Sequence, residues 1–183
     1  MLLVKVFEYR GLRPDSYTRS IFNINYQWLW DWGYRLLVFD ADNTILRHWE
    51  NELSSETKEL FEKLKAMRFK IVIVSNTVIP SKSKRVQAIS ESVGVPCICC
   101  EKGWQRKPNP WGICEARRGT SIRRRRVVVI GDQVCRDIKA AFNAKVGWSI
   151  LVDPISWHPF WQYLLFPRHR ICDLLVRRSV RQI

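Results

Sequence analysis

Long apolar runs are missing from this chain. No stretch approaches the roughly 20 consecutive apolar residues that a membrane-spanning helix needs. Negative charge is scarce too: 17 Asp and Glu stand against 31 Lys and Arg, leaving a formal charge of +14. Histidine occurs three times, and His48, His158 and His169 have no metal-ligand spacing, so no role is assigned to them. The six cysteines lack the regular spacing of a disulfide framework, which argues against a small stapled scaffold. Cys97-Ile98-Cys99-Cys100 has no second pair to complete a zinc site and reads as a short buried strand. The apolar start, MLLVKVFEYRG, is too short for a secretory signal, so the expected compartment is cytoplasmic.

What is present is a globular composition, 46% apolar over 183 residues, enough for one core and cramped for two. The positive balance favours anionic partners: a phosphorylated substrate, an anionic membrane surface or nucleic acid. Nine tryptophans are many, and several lie near arginines towards the end of the sequence. That mixture suits either core packing or peripheral contact with a membrane interface.

The chain reads as a single domain, 1–183, in three stretches. Residues 1–34 are an aromatic lead-in without clean period, expected to pack as a flap or short helices. Residues 35–154 alternate strands and helices. Residues 155–183 form a basic aromatic tail, expected to be a helix across the body or a membrane contact. In the middle stretch, Leu36–Phe39, Ile71–Val74, Cys97–Cys100, Val127–Ile130 and Trp148–Val152 are short apolar runs. Between them, Leu60, Phe61, Leu64 and Met67 give one helical stripe, and Val86, Ile89 and Val93 another. A further helix is expected from about Pro110 to Arg118, stopped by Gly119, and one more carries Val134, Ile138 and Ala141. Apolar strands alternating with helices predict an α/β fold, a Rossmann-like doubly wound parallel sheet of about five strands.

Polar residues collect where these strands end. Asp40 and Asp42 follow the first, Ser75 and Asn76 end the second, and Lys107 lies in the loop after the third. Asp132 follows the fourth, with Asp137 shortly beyond. Ligands of open parallel sheets bind beyond the carboxyl ends of strands. Facing carboxylates repel by about 4 kcal/mol per pair at ~4 Å and an effective dielectric near 20. A hard divalent cation such as Mg2+ removes that penalty and accepts phosphate oxygens as further ligands. Lys107 and the Ser75 hydroxyl suit a phosphoryl group. One carboxylate can attack phosphorus, and a second can move the leaving group's proton. Asp137 reads equally well as a metal partner or as a helix pairing residue.

Val38-Phe39-Asp40-Ala41-Asp42-Asn43-Thr44 resembles the DxDxT motif of haloacid dehalogenase-like (HAD-like) phosphatases. Val74-Ser75-Asn76, Lys107-Pro108 and Gly131-Asp132-Gln133-Val134-Cys135-Arg136-Asp137 resemble their second, third and fourth motifs, in order. The resemblance spans about residues 17 to 155. It implies Asp40 as nucleophile and metal ligand, and Asp42 as general acid/base with its backbone carbonyl on the metal. It implies Ser75 and Lys107 on the phosphoryl group with Asn76 beside them, Asn43 and Thr44 orienting the phosphate loop, and Asp132 and Asp137 towards Mg2+. The second acid, Asp42, argues against dehalogenation.

A closer similarity is to the bacterial YqeG-type group of subfamily IIIA, carried by Tyr17-Thr18-Arg19-Ser20-Ile21-Phe22, by Val129–Gln133 and by Ile150–Pro154. The mitochondrial phosphatidylglycerophosphate phosphatases resemble that group. This sequence departs from it at Ala41 and in its Arg and Trp content. One helix separates Asp42 from Ser75, and one helix with a short strand separates Ser75 from Lys107. Neither interval has room for a cap domain, so a capless, open site is expected.

The leading expectation is a phosphomonoesterase acting on a bulky substrate, an anionic phospholipid head group first among them. A basic RNA- or ribosome-binding protein, or a nucleic-acid end phosphatase, stands as the alternative. The run Arg123–Arg126 precedes the fourth strand, so it is expected at the end of the sheet opposite the site.

Overall fold

The structure, a computed structural model, describes residues 13–156 and Val176. Six parallel strands form one sheet: β1 (Ser16–Thr18), β2 (Leu36–Phe39), β3 (Lys70–Asn76), β4 (Cys97–Cys100), β5 (Val127–Gly131) and β6 (Trp148–Val152). Their spatial order is β1-β6-β5-β2-β3-β4. Helices α1 (Tyr26–Asp31), α2 (Ser55–Ala66), α3 (Pro80–Ser92), α4 (Trp111–Thr120) and α5 (Lys139–Ala144) complete the fold.

Alternation along the strands sorts the core into two layers. Leu37, Phe39, Ile71, Ile73, Val128 and Ile130 face Phe61 and Leu64 of α2 and Val86 and Ile89 of α3. Their neighbours Leu36, Val38, Val72, Val74, Val127 and Val129 face Ile113 and Ala116 of α4 and the alanines of α5. With both faces covered, the central strands are apolar throughout. The small residues of α4 and α5 let those helices lie close to the sheet. A Cβ on Gly112 would come within 2.7 Å of Val74 Cγ1 and 2.8 Å of Cys100 Sγ.

Several local expectations hold. Of Ser54 and Ser55, either of which the sequence allows as the cap of the helix that carries Leu60, it is Ser54 that caps α2, its Oγ accepting from Thr57 N at 3.2 Å, with Glu56 in the first turn. The turn Arg124–Arg126 leads directly into β5, which puts the arginine run at the amino end of the sheet. Trp28 and Trp148 pack against each other at 5.5 Å and line the core, whereas Trp32, Trp49 and Trp104 are exposed.

Other expectations need correction. The sheet has six strands, not five: within the lead-in, Ser16, Tyr17 and Thr18 pair with Ile150, Leu151 and Val152. Three residues with one aromatic give no period to read, and the pairing is made through backbone. The Tyr17 hydroxyl then donates to Asp153 at 2.7 Å, joining two segments far apart in sequence. Among the described residues Cys97–Cys100 is an edge strand that pairs with β3 on one side, so Cys97, Ile98 and Cys99 are half-buried and Cys100 is buried. Helix α4 runs through Gly119 to Thr120. A glycine in a helix costs only about 1 kcal/mol, and the end comes at Ser121, which takes a left-handed φ of 58°. The stretch from Val134 begins as a π-helical turn, Val134–Ile138, before α5. The expectations for residues 1–12 and for most of the tail lie outside the described residues.

Candidate active site

The strand order reverses between β2 and β5: from β2 the chain moves outward to β3 and β4, then returns to the other side. A crevice opens at such a switch point. Asp40 follows β2 and Asp132 follows β5, so the two strands that part there deliver one carboxylate each. The Asp40 amide donates to Ile130 O at 2.9 Å, which locks the first turn of the loop onto β5.

The π-helical turn brings in Asp137. Its Oδ2 accepts from the Gln133 amide at 3.0 Å, and the residue is 1% exposed. Gly131 makes the approach feasible: a Cβ there would stand 2.4 Å from Asp137 Cγ. One carboxylate oxygen from each of Asp40, Asp132 and Asp137 lies within 4.8 Å of the others, and all three residues are buried. Such a set of hard oxygen donors fits a divalent cation.

Lys107 comes from the loop after β4 and is buried. Its ammonium donates to Asp40, to Asp137 at 2.7 Å and to the Val74 carbonyl at 2.9 Å. Asn76 holds the lysine's backbone at two points: its Oδ1 accepts from Lys107 N at 2.8 Å and its Nδ2 donates to Lys107 O at 3.1 Å. Burial raises the Asp40 carboxyl, Lys107 pulls it down, and Asp137 and Asp42 raise it; together they leave it at about 7. Burial also acts to lower Lys107, but the Asp137 and Asp40 carboxylates outweigh it and hold the ammonium above the ordinary lysine range.

Asp42 stands apart from that cluster, facing two cations from α3 and the His48 imidazole from its own loop. Arg85 donates to it, Lys82 Nζ lies 2.7 Å from Oδ2, and His48 Nδ1 lies 3.6 Å from the same oxygen. Burial would raise its carboxyl; hydrogen bonds from His48, Lys82 and Arg85 overcome this and hold it well below the usual carboxylate range.

The remaining expected residues are present with specific engagements. Ser75 is buried at the end of β3. Thr44 is buried behind the loop, its amide on Ala41 O at 3.3 Å. Asn43 takes a φ of 62°, and its Oδ1 accepts from Ser156 at 2.7 Å. The Asn43 and Asn76 side chains thus hold backbone and loops: Asn76 positions Lys107, and Asn43 ties the loop to the segment after β6. Sequence reasoning overlooked Lys82 and Arg85 and left His48 without a role. The available signal was two basic residues three apart at the start of the helix after Ser75-Asn76, whose partner lies about forty positions earlier.

The loops at this end of the sheet expose apolar residues among charged ones such as Arg47 and Lys102. Trp49 in the loop after β2 is 68% exposed, Trp104 in the loop after β4 is 58% exposed, and Val78 and Ile79 after β3 are exposed as well. All follow carboxyl ends of strands, and the intervals after β2 and β3 carry no cap domain.

Residues 38–150 match the family described as "Haloacid dehalogenase-like hydrolase". The chain is 30% identical over 143 residues to the Bacillus subtilis (strain 168) protein named "Probable phosphatase YqeG", covering 78% of each chain. Among solved structures, one from Mesorhizobium loti assigned as a HAD-like phosphatase superposes with a TM-score of 0.54 at 18% identity, covering 81% of this chain and 88% of that one. A haloacid dehalogenase-like family hydrolase from Xanthomonas campestris superposes with a TM-score of 0.50 at 11% identity, over 80% and 94%. At these identities the two superpositions speak for the fold alone. Family match and curated relative agree with a parallel sheet that gathers Asp40, Lys107, Asp132 and Asp137 at its switch point: the chain belongs to the haloacid dehalogenase-like hydrolases and is a phosphatase.

Proposed function

We propose that the protein hydrolyses phosphomonoesters through an aspartyl-phosphate on Asp40, with Mg2+ as cofactor and a phospholipid head group, phosphatidylglycerophosphate foremost, as substrate. The observation that carries the chemistry is the contact of Lys107 with Asp40 and Asp137, with Asp132 close by. Asp40, Asp132 and Asp137 would hold the magnesium ion, which when bound offsets the repulsion among the carboxylates and the charge of the phosphoryl oxygens.

The chain's own groups account for the rest. Lys107, fixed by Asn76 and Val74, sets its positive charge beside the phosphoryl oxygens and holds Asp40 in place, so that phosphorus and the leaving oxygen come in line with the Asp40 oxygen. An Asp40 oxygen attacks phosphorus as the bond to the leaving oxygen breaks. Asp42, two residues on, takes up a proton as the charge of the bound substrate offsets Lys82 and Arg85, gives it to that oxygen, and the alcohol departs. A water then attacks the phosphorus of the aspartyl-phosphate, Asp42 takes the water's proton, and inorganic phosphate leaves with Asp40 regenerated.

The substrate reading is favoured by the exposed loop residues. Exposed Trp49, Val78, Ile79 and Trp104 lie in the loops that follow β2, β3 and β4, at the same end of the sheet as the site, and suit contact with a bilayer surface, where Trp is at home. The positive charge of the chain suits anionic lipid. Among the described residues no helix is long and apolar enough to cross a membrane, so the contact proposed is peripheral. The test is phosphate release from phosphatidylglycerophosphate in anionic vesicles, with magnesium and with chelator, beside end-phosphorylated oligonucleotides. Magnesium-dependent release from the lipid is expected. Refusal of the lipid with hydrolysis of the oligonucleotide would replace this reading by that of a nucleic-acid end phosphatase.

A further inference from the structure

Lys82 and Arg85, three residues apart in the first turns of α3, both close on Asp42. Their situations differ. Arg85 is held on several sides: besides Asp42 it donates to the carbonyls of His48 at 3.0 Å and Glu50 at 2.7 Å. It therefore suffices to fix both the carboxylate and the loop that carries it. Lys82 adds nothing to that loop. Among the described residues its ammonium meets Asp42 alone, at 2.7 Å, and its side chain is twice as exposed as that of Arg85, 22% against 11%. An ammonium has three donors, so with one on Asp42 two remain for a ligand, on a side chain that solvent reaches.

Charge leads to the same place. Two permanent cations face one carboxylate, with His48 beside them, which leaves a positive excess next to the acid/base. A residue needed only to position Asp42 would not require this second cation. Val78 and Ile79, in the segment that leads into α3 ahead of it, are exposed.

We propose that Lys82, backed by Arg85, is a subsite for a second anionic group of the substrate, a phosphodiester on the alcohol side of the scissile phosphomonoester. The inference rests on the phosphatase mechanism above and narrows its substrate class. Asp42 touches the leaving oxygen in that mechanism and Lys82 touches Asp42. The second anion therefore lies within about 10 Å of the leaving oxygen, the span of three hydrogen bonds and the width of a carboxylate laid end to end. A glycerol bridge between two phosphates falls inside that limit. A simple alkyl phosphate leaves the subsite empty.

The experiment compares two water-soluble monoesters that differ in the second anion, glycerophosphoglycerophosphate and glycerol 3-phosphate, so that no bilayer enters the measurement. Wild type should prefer the former in kcat/KM by about tenfold to a hundredfold, the worth of one charge-assisted hydrogen bond. Lys82→Met should bring the ratio near one, chiefly through KM, and Lys82→Arg should retain it. Using the ratio cancels any change that reaches Asp42 and acts on both substrates alike. A wild type without preference, a preference that survives Lys82→Met, or hydrolysis of neither compound by the folded protein would overturn the subsite. The lipid reading fails separately. Preference on the soluble pair with no release from vesicle lipid sinks the lipid and keeps the subsite; equal release from vesicle lipid by wild type and Lys82→Met does the reverse.

Discussion

Replacing Lys107 by Met keeps the length of the side chain and removes its charge, and the structure gives the consequence a size. The ammonium lies between Asp40 and Asp137, 2.7 Å from the latter, in a site where lysine and both acids are buried. Deleting one member of a buried ionic cluster costs about 3–5 kcal/mol, because the partners stay buried without compensation. A chain of this size loses roughly 2–4 °C of Tm per kcal/mol, so the variant should melt roughly 6–20 °C below wild type at neutral pH in chelator. Two further effects follow from the same cluster. Asp40 binds its proton more tightly folded, at about 7, than at the ordinary 3.8, so its contribution to stability falls as pH rises through that window. Loss of the lysine's downward pull widens the window, and acidification should narrow the gap between variant and wild type. Millimolar magnesium, binding the folded acids, should recover part of the loss. Thermal unfolding by circular dichroism, with chelator and with magnesium, measures all three. A variant that melts with wild type in chelator would refute the placement of Lys107 as the counter-charge of the carboxylates.

Other consequences are as direct. Asn76→Ala removes both hydrogen bonds to the Lys107 backbone and should lower kcat/KM about a hundredfold through misplacement of the ammonium, with only about 1–3 kcal/mol of stability lost in a urea titration. Gly131→Ala puts a methyl group 2.4 Å from Asp137 Cγ; it should weaken magnesium binding, read by calorimetry, more than it weakens the fold. Asp42, held below its ordinary 3.8, contributes stability that is present above that value and lost as pH falls below it. Melting curves taken from neutral pH to below 3.8 should therefore drop less steeply for Asp42→Asn than for wild type.

The candidate cluster was legible in the sequence because its members lie at or after the ends of apolar strands, and strand ends in a parallel sheet converge by geometry. Asp40, Ser75 and Asp132 lie at such ends, whereas Lys107 and Asp137 follow within the next loop or turn. The arginine run was legible for the converse reason: it precedes a strand and so falls at the other end. What escaped notice depended on contacts between segments distant in sequence. Strand β1 is three residues whose partner, β6, lies about 130 positions away, and backbone pairing leaves no mark on side-chain pattern. Lys82 and Arg85 looked like ordinary solvated residues of a helix start; only the folding of the loop after β2 over α3 sets Asp42, His48 and Glu50 against them. The edge position of β4 was hidden as well, since an apolar Cys-Ile-Cys-Cys run reads the same at the centre of a sheet as at its rim.

The nucleophilic role of Asp40 is tested most directly by quenching the protein during turnover of a phosphomonoester with magnesium and mapping the phosphoryl group by mass spectrometry. The account predicts an acid-stable, hydroxylamine-labile phosphoryl adduct on the peptide containing Asp40, and neither adduct nor phosphate release in Asp40→Asn. Undiminished phosphate release from Asp40→Asn, or an adduct on a different residue, would contradict it.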